Sequence, residues 1–308
     1  MTKIIVAGAS GSLGQHIVRM LLEKVPASDL ILTTRTPAKL ADLAAKGAQV
    51  RRGDYRDRAL LEEAFVGGDR LMLISGLDVT HRVDEHRNAI ETAKKAGLEH
   101  ILYTSTCGIH PQNPTPSASD HIVTEDDLRR SGIGYTVFRN ACYAEVFPTI
   151  ASEPARKTGE WKQATGEGKL APVCKLDIAR CAVEVLLNPE PHNGAVYEIS
   201  GPELLTFRDI AKITSDVYGV PIEYITISAE EKFAMLDAMG VPRTYSEDNP
   251  EHEYAQNWCS EEMVNADMCW AKGFHEILTG HVEMITGKKP MALREVFELC
   301  KDKDYAEC

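Results

Sequence analysis

Three glycines at 8, 11 and 14 carry the most specific chemistry in this sequence. They lie in the run Lys3-Ile4-Ile5-Val6-Ala7-Gly8-Ala9-Ser10-Gly11-Ser12-Leu13-Gly14. Glycine admits positive φ and lets a backbone approach a pyrophosphate closely, while a helix that follows offers its unpaired N–H groups and positive dipole end to the anion. The motif is preceded by a short apolar strand and followed by helical apolar spacing at Leu13, Ile17, Met20 and Leu21. That context makes it a dinucleotide cradle, expected to use Gly8, Ser10, Gly11, Ser12, Leu13 and Gly14.

The second strand selects the dinucleotide. In a doubly wound fold a carboxylate about 20 residues past the glycines holds the ribose 2′-hydroxyl of NAD, whereas an arginine there accommodates the 2′-phosphate of NADP. This strand ends Leu32-Thr33-Thr34-Arg35-Thr36-Pro37-Ala38-Lys39, with no carboxylate at its tip. Arg35 and Lys39 are positioned to surround a dianionic phosphate, so NADPH is the expected cofactor. By position in such a fold, Asp54 is expected to accept from an adenine amine and Tyr55 to pack on the ring. Ser75-Gly76 and Thr104-Ser105 close the next strands at the carboxyl edge of the sheet, where ligands of open α/β sheets bind.

A proton donor is conspicuously lacking. Ketone reduction on a dinucleotide fold commonly uses a Tyr with a Lys four residues later on one helix, the Lys lowering the Tyr pKa. None of the ten tyrosines has Lys at i+4. Tyr135 with Arg139 imitates the spacing, but on a predicted strand four residues span ~13 Å. His81, Asp84, Glu85 and His86 do not form a metal set, because 81 and 86 are five apart and miss the i, i+4 face. Cys107 and Cys142 fall near the site by position, with no basic neighbour to lower a thiol pKa, and are read as buried and inert.

The elements that must position these residues follow from periodicity. Strands are predicted at Ile4 to Ala7, Leu30 to Thr33, Ala48 to Arg51, Arg70 to Ile74, His100 to Thr104 and Gly134 to Phe138, with helical patterns between. This alternation predicts a Rossmann-type, doubly wound parallel α/β sheet over residues 1–147, with later segments returning to it. Residues 148–308 are read as a smaller, mostly helical α/β substrate-binding region, with strands near Ala195 to Ile199 and Ile222 to Ile227 and a helix capped by Thr206. The acidic stretch from Glu230 to Asp267, with Glu247, Asp248, Glu251 and Glu253 around Pro250, reads as a solvated surface or lid. Trp258, Met263, Met268 and Trp270 read as packing.

Composition limits the partners. The 308 residues carry a formal charge of −12, which disfavours nucleic acid and anionic membranes. No run approaches the ~18 apolar residues of a membrane span. Eight cysteines without C-x-x-C or zinc-ligand spacing suit reduced thiols in a cytoplasmic protein. A small-molecule substrate is the expected partner, and a homodimer the assembly left open.

The motifs together resemble a known family. Gly8 to Gly14, Arg35-Thr36-Pro37-Ala38-Lys39, Gly53-Asp54-Tyr55, His121-Ile122-Val123-Thr124-Glu125, Ser131-Gly132, Tyr135 to Asn140, Tyr143-Ala144-Glu145, Leu278-Thr279-Gly280 and Thr286 to Pro290 are similar to the NmrA-like, atypical short-chain dehydrogenases. The likeness is to the subgroup of NADPH:quinone oxidoreductase 2 and triphenylmethane reductase, and it covers nearly the whole chain. It implies that His121 stands where the family's Tyr would be, that Asn140 and Tyr143 flank nicotinamide and substrate, and that these three carry the catalytic roles. A fitting reaction is hydride transfer from NADPH to a quinone or other electron-poor conjugated acceptor. Reducing a simple ketone makes an alkoxide about as basic as hydroxide, whose conjugate acid has a pKa near ~15.7, whereas a quinone yields a phenolate of conjugate-acid pKa roughly 10. A cationic dye needs no proton at all. Enone or ketone reduction of a bulky natural product, and non-catalytic NAD(P) sensing of NmrA type, stay open.

Overall fold

The computed structural model describes residues 2–79, 81–244, 259–305 and 308. Along the first half, β1 (Ile4–Ala7), α1 (Ser12–Leu22), β2 (Leu30–Thr34), α2 (Ala41–Ala45), β3 (Gln49–Arg52) and α3 (Arg58–Ala64) alternate. They are followed by β4 (Arg70–Leu73), α4 (Arg82–Lys95), β5 (His100–Thr106), α5 (Pro116–Ser131) and β6 (Gly134–Asn140). The second half supplies α6 (Glu153–Thr158), β7 (Glu160–Gln163), β8 (Lys169–Leu170), α7 (Lys175–Leu187), β9 (Val196–Ile199) and β10 (Leu205–Thr206). Then come α8 (Phe207–Tyr218), β11 (Glu223–Thr226), α9 (Ala229–Ala238), α10 (Ser260–Ala271), α11 (His281–Thr286) and α12 (Leu293–Cys300).

Seven strands form one parallel sheet in the order β3-β2-β1-β4-β5-β6-β9. β1 and β2 are buried along their whole length, which is why they read as continuous apolar runs rather than alternating ones: helices cover both faces of such a sheet. The order reverses between β1 and β4, and the crevice beyond the carboxyl ends of the strands there is where ligands of this architecture bind. Val6 sits in register between Leu32 and Met72, so the glycine turn leaves the sheet at its centre.

Several elements beyond residue 147 belong to this sheet. α7 lays Ile178, Ala182 and Val185 into the same core as Ile17, Val18 and Leu21 of α1. β9, read from sequence as a lone strand, takes the seventh place beside β6, Phe138 opposite Tyr197. The remainder of the second half has its own core, built from Phe147, Trp161, Phe207, Ile210, Val296, Phe297 and their neighbours. Two small sheets brace it, β10 with β8 antiparallel and β11 with β7 parallel. Thr206 caps α8 in a reciprocal capping box with Asp209, as its sequence position suggested.

The acidic stretch contributes α9 and α10, with Met263 and Met268 packed on a small core of Leu236, Val241 and Val264. Trp270 packs on the second-half core. Glu247, Asp248, Pro250, Glu251, Glu253 and Trp258 lie outside the described residues.

Candidate active site

A cavity of about 1150 Å³ opens along the carboxyl ends of β1, β2 and β4. Its floor is the glycine turn. Gly8 has φ of +78°, which turns the chain so that its carbonyl accepts the Gly11 N–H at 3.0 Å. A Cβ on Gly14 would stand 2.3 Å from the Gly8 carbonyl oxygen, so this glycine is needed for α1 to start tight against the turn. Gly11 meets nothing closer than that carbonyl at 3.3 Å. Gly8, Ser10, Gly11, Ser12, Leu13 and Gly14 all line the cavity. Ser10 and Thr34 share a hydrogen bond of 2.7 Å between their hydroxyls, tying the turn to the tip of β2.

Arg35 lines the cavity from that tip and is exposed. Lys39 is also exposed, one 3-10 turn further on, and is not among the lining residues. Asp54 and Tyr55 line the same end. Asp54 accepts the Arg56 backbone N–H, and the Tyr55 hydroxyl donates to the Ile74 carbonyl at 2.8 Å, leaving its ring as wall. Arg56 bonds Asp78 and, at 3.0 Å, Glu85, which joins the loop after β3 to the start of α4. Of the four side chains weighed as a metal set, Glu85 is held by Arg56 and His86 is buried. No metal-holding group of three or more His, Cys, Asp or Glu occurs among the described residues.

Ser75 and Gly76 line the cavity, whereas Thr104 and Ser105 do not. Thr104 Oγ1 accepts the Ser75 N–H at 2.9 Å and so positions the loop from behind. Ser105 donates to Glu125 at 2.8 Å, and Glu125 is gripped by both Nε and Nη2 of Arg139 at 2.9 and 2.7 Å.

His121 departs from the sequence expectation. It is 5% exposed and lies away from the cavity, in a closed network beneath α4 and α5. His86 Nε2 accepts the Gly76 N–H at 3.0 Å, which leaves the proton on Nδ1, facing Thr124 Oγ1 at 3.0 Å and the Tyr103 hydroxyl at 3.2 Å. Tyr103 then donates to His121 Nδ1 at 2.5 Å. Burial, reinforced by Arg82, holds His86 down at about 3 and His121 well below the usual histidine range. Both rings are neutral acceptors or donors within the network, and neither is placed to exchange a proton with a ligand in the cavity. The side chain types suggested catalysis, but the face of α5 that carries His121 turns inward.

Tyr143 does line the cavity. Its pKa is pushed up to about 12, chiefly by burial and slightly offset by the neighbouring Asn140 amide. Asn140 is buried behind it and does not line the cavity, and among the described residues neither polar atom of its amide makes a bond of hydrogen-bond geometry. An amide left in this state costs free energy. Cys107 Sγ lies 3.3 Å from His275 Nδ1, which also accepts from Trp270 Nε1. Burial raises the Cys107 thiol well above its ordinary range and Cys142 to about 12, so both are protonated and unreactive.

Among the lining residues that the sequence reading did not anticipate are Lys175 and Tyr305. Lys175 opens α7, which a parallel bridge between Tyr143 and Val173 brings to the cavity wall. A legible signal existed for it: a lysine on the first turn of an apolar helix opposes the helix dipole, a local rule broken at a place that turns out to face the cavity. Nothing local marks Tyr305.

The family model described as "NmrA-like family" matches residues 1–278. Quinone oxidoreductase 2 of Escherichia coli (strain K12) is 38% identical over 241 residues, 78% of this chain and 82% of that protein. The crystal structure of an Escherichia coli NADPH-dependent quinone oxidoreductase complexed with NADPH superposes with a TM-score of 0.85 at 33% identity, covering 96% of this chain and 99% of that one. The Citrobacter sp. triphenylmethane reductase complexed with NADP(H) gives 0.84 at 30% identity, with coverages of 96% and 99%.

Proposed function

The chain belongs to the NmrA-like family, and from that membership and the site's geometry we propose that it is an NADPH-dependent oxidoreductase acting on a quinone or dye-like, electron-poor conjugated acceptor. The observation that carries the reading is the cavity itself, a single volume lined by the glycine turn, Arg35 and Tyr143. NADPH, when bound, supplies the hydride. Arg35 holds the 2′-phosphate, Lys39 adds positive charge nearby, and Tyr55 walls the adenine end with Asp54 beside it. The turn from Gly8 to Gly14 and the start of α1 take the pyrophosphate. Ser75 and Gly76 bound the middle, backed by Thr104.

At the acceptor end, Tyr143 orients the reacting groups as an aromatic wall with a polar tip, and Asn140, buried behind it and outside the lining, backs that wall. Proximity and orientation supply most of the acceleration. With Tyr143 raised to about 12 by burial, its hydroxyl is a hydrogen-bond donor more than an acid. That suits an acceptor whose reduced form is a phenolate or a neutral dye. Ser105 and Glu125 are committed to the Arg139 ion pair, and His121 to Tyr103, so none of the three is offered to substrate.

A cytoplasmic location is proposed on the eight free thiols, and no described helix is long and apolar enough to cross a membrane. A homodimer is a further proposal, to be settled by light scattering. The activity is tested by following NADPH and NADH oxidation with quinones, a cationic dye, conjugated enones and simple ketones. Turnover of quinones or dye with NADPH is the expected result. Turnover of simple ketones would require a proton donor that this geometry does not present, and tight binding without turnover would favour a sensor.

A further inference from the structure

Lys175 is an expensive residue where it stands. Its side chain is 1% exposed, and it sits on the first turn of α7, where the helix dipole repels a cation. No carboxylate of the described residues lies within ion-pairing distance of its ammonium. The nearest acid by electrostatic influence, Glu145, spends one oxygen on the Lys175 backbone N–H at 2.8 Å and on the Cys174 thiol at 3.2 Å. Nζ instead donates to Ser12 Oγ at 2.8 Å and rests 3.8 Å from the centre of the Tyr305 ring. Ser12 is the first residue of α1, the helix whose free N–H groups face the same cavity. A buried ammonium whose direct contacts are a hydroxyl and an aromatic face, with the Glu145 carboxylate only at longer range, gains from an anion that completes its surroundings.

We propose that Lys175 is a diphosphate-binding cation, delivered from the second half of the molecule to the N-terminus of α1, that completes the glycine cradle from its open side with Tyr305 as its aromatic cover. The inference rests on the reading of this cavity as a dinucleotide site. It adds a charged contact that the glycine motif does not contain, and it makes the hold on the diphosphate a joint property of α1 and α7. Replacing the lysine removes a point charge and little volume, so the folded state is expected to tolerate Lys175→Met.

Isothermal titration of wild type, Lys175→Met and Lys175→Arg with NADPH, ADP and adenosine 2′-monophosphate separates the alternatives. Loss of a charge-assisted bond predicts roughly 10- to 100-fold weaker binding of NADPH and ADP by Lys175→Met. Adenosine 2′-monophosphate, which lacks the diphosphate, should bind as to wild type, Lys175→Arg should recover part of the loss, and the melting temperature without ligand should be unchanged or higher. The dependence of ADP binding on salt should also flatten in Lys175→Met. If wild type binds NADPH and Lys175→Met binds NADPH and ADP equally well, the proposal fails while the dinucleotide reading stands. If Lys175→Met loses all three ligands together with thermal stability, the lysine is a structural residue and the proposal fails. A wild type that binds neither NADPH nor ADP would overturn both.

Discussion

Two places in this molecule gather polar side chains around the carboxyl half of the sheet, and they are built on opposite terms. In the cavity the groups are left incomplete: the glycine turn and the start of α1 present N–H groups, and the Lys175 ammonium has no carboxylate of the described residues within ion-pairing distance. In the network under α4 and α5 the groups pair with one another, from the Gly76 N–H through both ring nitrogens of His86 and the Tyr103 hydroxyl to His121 Nδ1. The difference teaches that residue type does not distinguish a site from a core. Unsatisfied valence beside an open volume does, and a histidine buried away from that volume with its ring held by neighbouring groups is a strut.

Substitutions can break this contrast, and the largest effect belongs to the cavity floor. Gly14→Val forces a Cβ to within 2.3 Å of the Gly8 carbonyl oxygen, and should cost ~3 kcal/mol or more of stability along with all dinucleotide binding. A Cβ on Gly11 meets nothing closer than the Gly8 carbonyl oxygen at 3.3 Å. Gly11→Val should melt close to wild type and still fail to bind, because its branched side chain fills the diphosphate path. Melting curves with and without NADPH distinguish the two. Next, Arg35→Glu should raise the KM for NADPH roughly 100-fold and spare NADH, read from initial rates with each cofactor. Unchanged cofactor preference would remove Arg35 from the 2′-phosphate.

The closed network should answer in stability instead. His121→Ala leaves the Tyr103 hydroxyl without its acceptor and opens a small void, for a cost of about 2–3 kcal/mol in chemical denaturation, with kcat within about twofold of wild type. A large fall in kcat at constant stability would return His121 to the active site.

The smallest effect is a pH slope. His86 has a folded pKa of about 3 against 6.5 when unfolded, so the unfolded chain binds the extra proton between those values. Its contribution is therefore complete above about pH 6.5 and drains away as pH falls, at ~1.4 kcal/mol per unit. Buried carboxyls such as Glu262, raised to about 7 mainly by burial, act with the opposite sign. The difference between wild type and His86→Gln cancels them. That difference should shrink by about 1 kcal/mol between pH 6.5 and 5.5.

The sheet and the cradle were largely legible because their information is local. Strands buried on both faces announce themselves as apolar runs, and the turn from Gly8 to Gly14 carries its glycine pattern within seven positions. β11 was anticipated near Ile222 to Ile227, but its partner β7 was not, since Glu-Trp-Lys-Gln shows only one buried residue. Ala195 to Ile199 read as a strand, yet its place beside β6 follows from a long-range pairing that no local pattern encodes. The acceptor end was harder for the same reason. Whether His121 or Lys175 meets the cavity depends on which way α5 and α7 face after packing, and Tyr305 arrives from more than a hundred residues beyond its neighbour Lys175.

The late arrival of β9 bears on how the chain comes off the ribosome. Until residues 175–199 have been made, β6 has an open hydrogen-bonding edge and the apolar face that α1 shares with α7 is uncovered. The nascent cofactor half therefore spends its first moments with the two features that most invite wrong pairing, a bare strand edge and an exposed helix face. A chain released at residue 147 is expected to be a client of chaperones and proteases, because its last strand and covering helix are still to come.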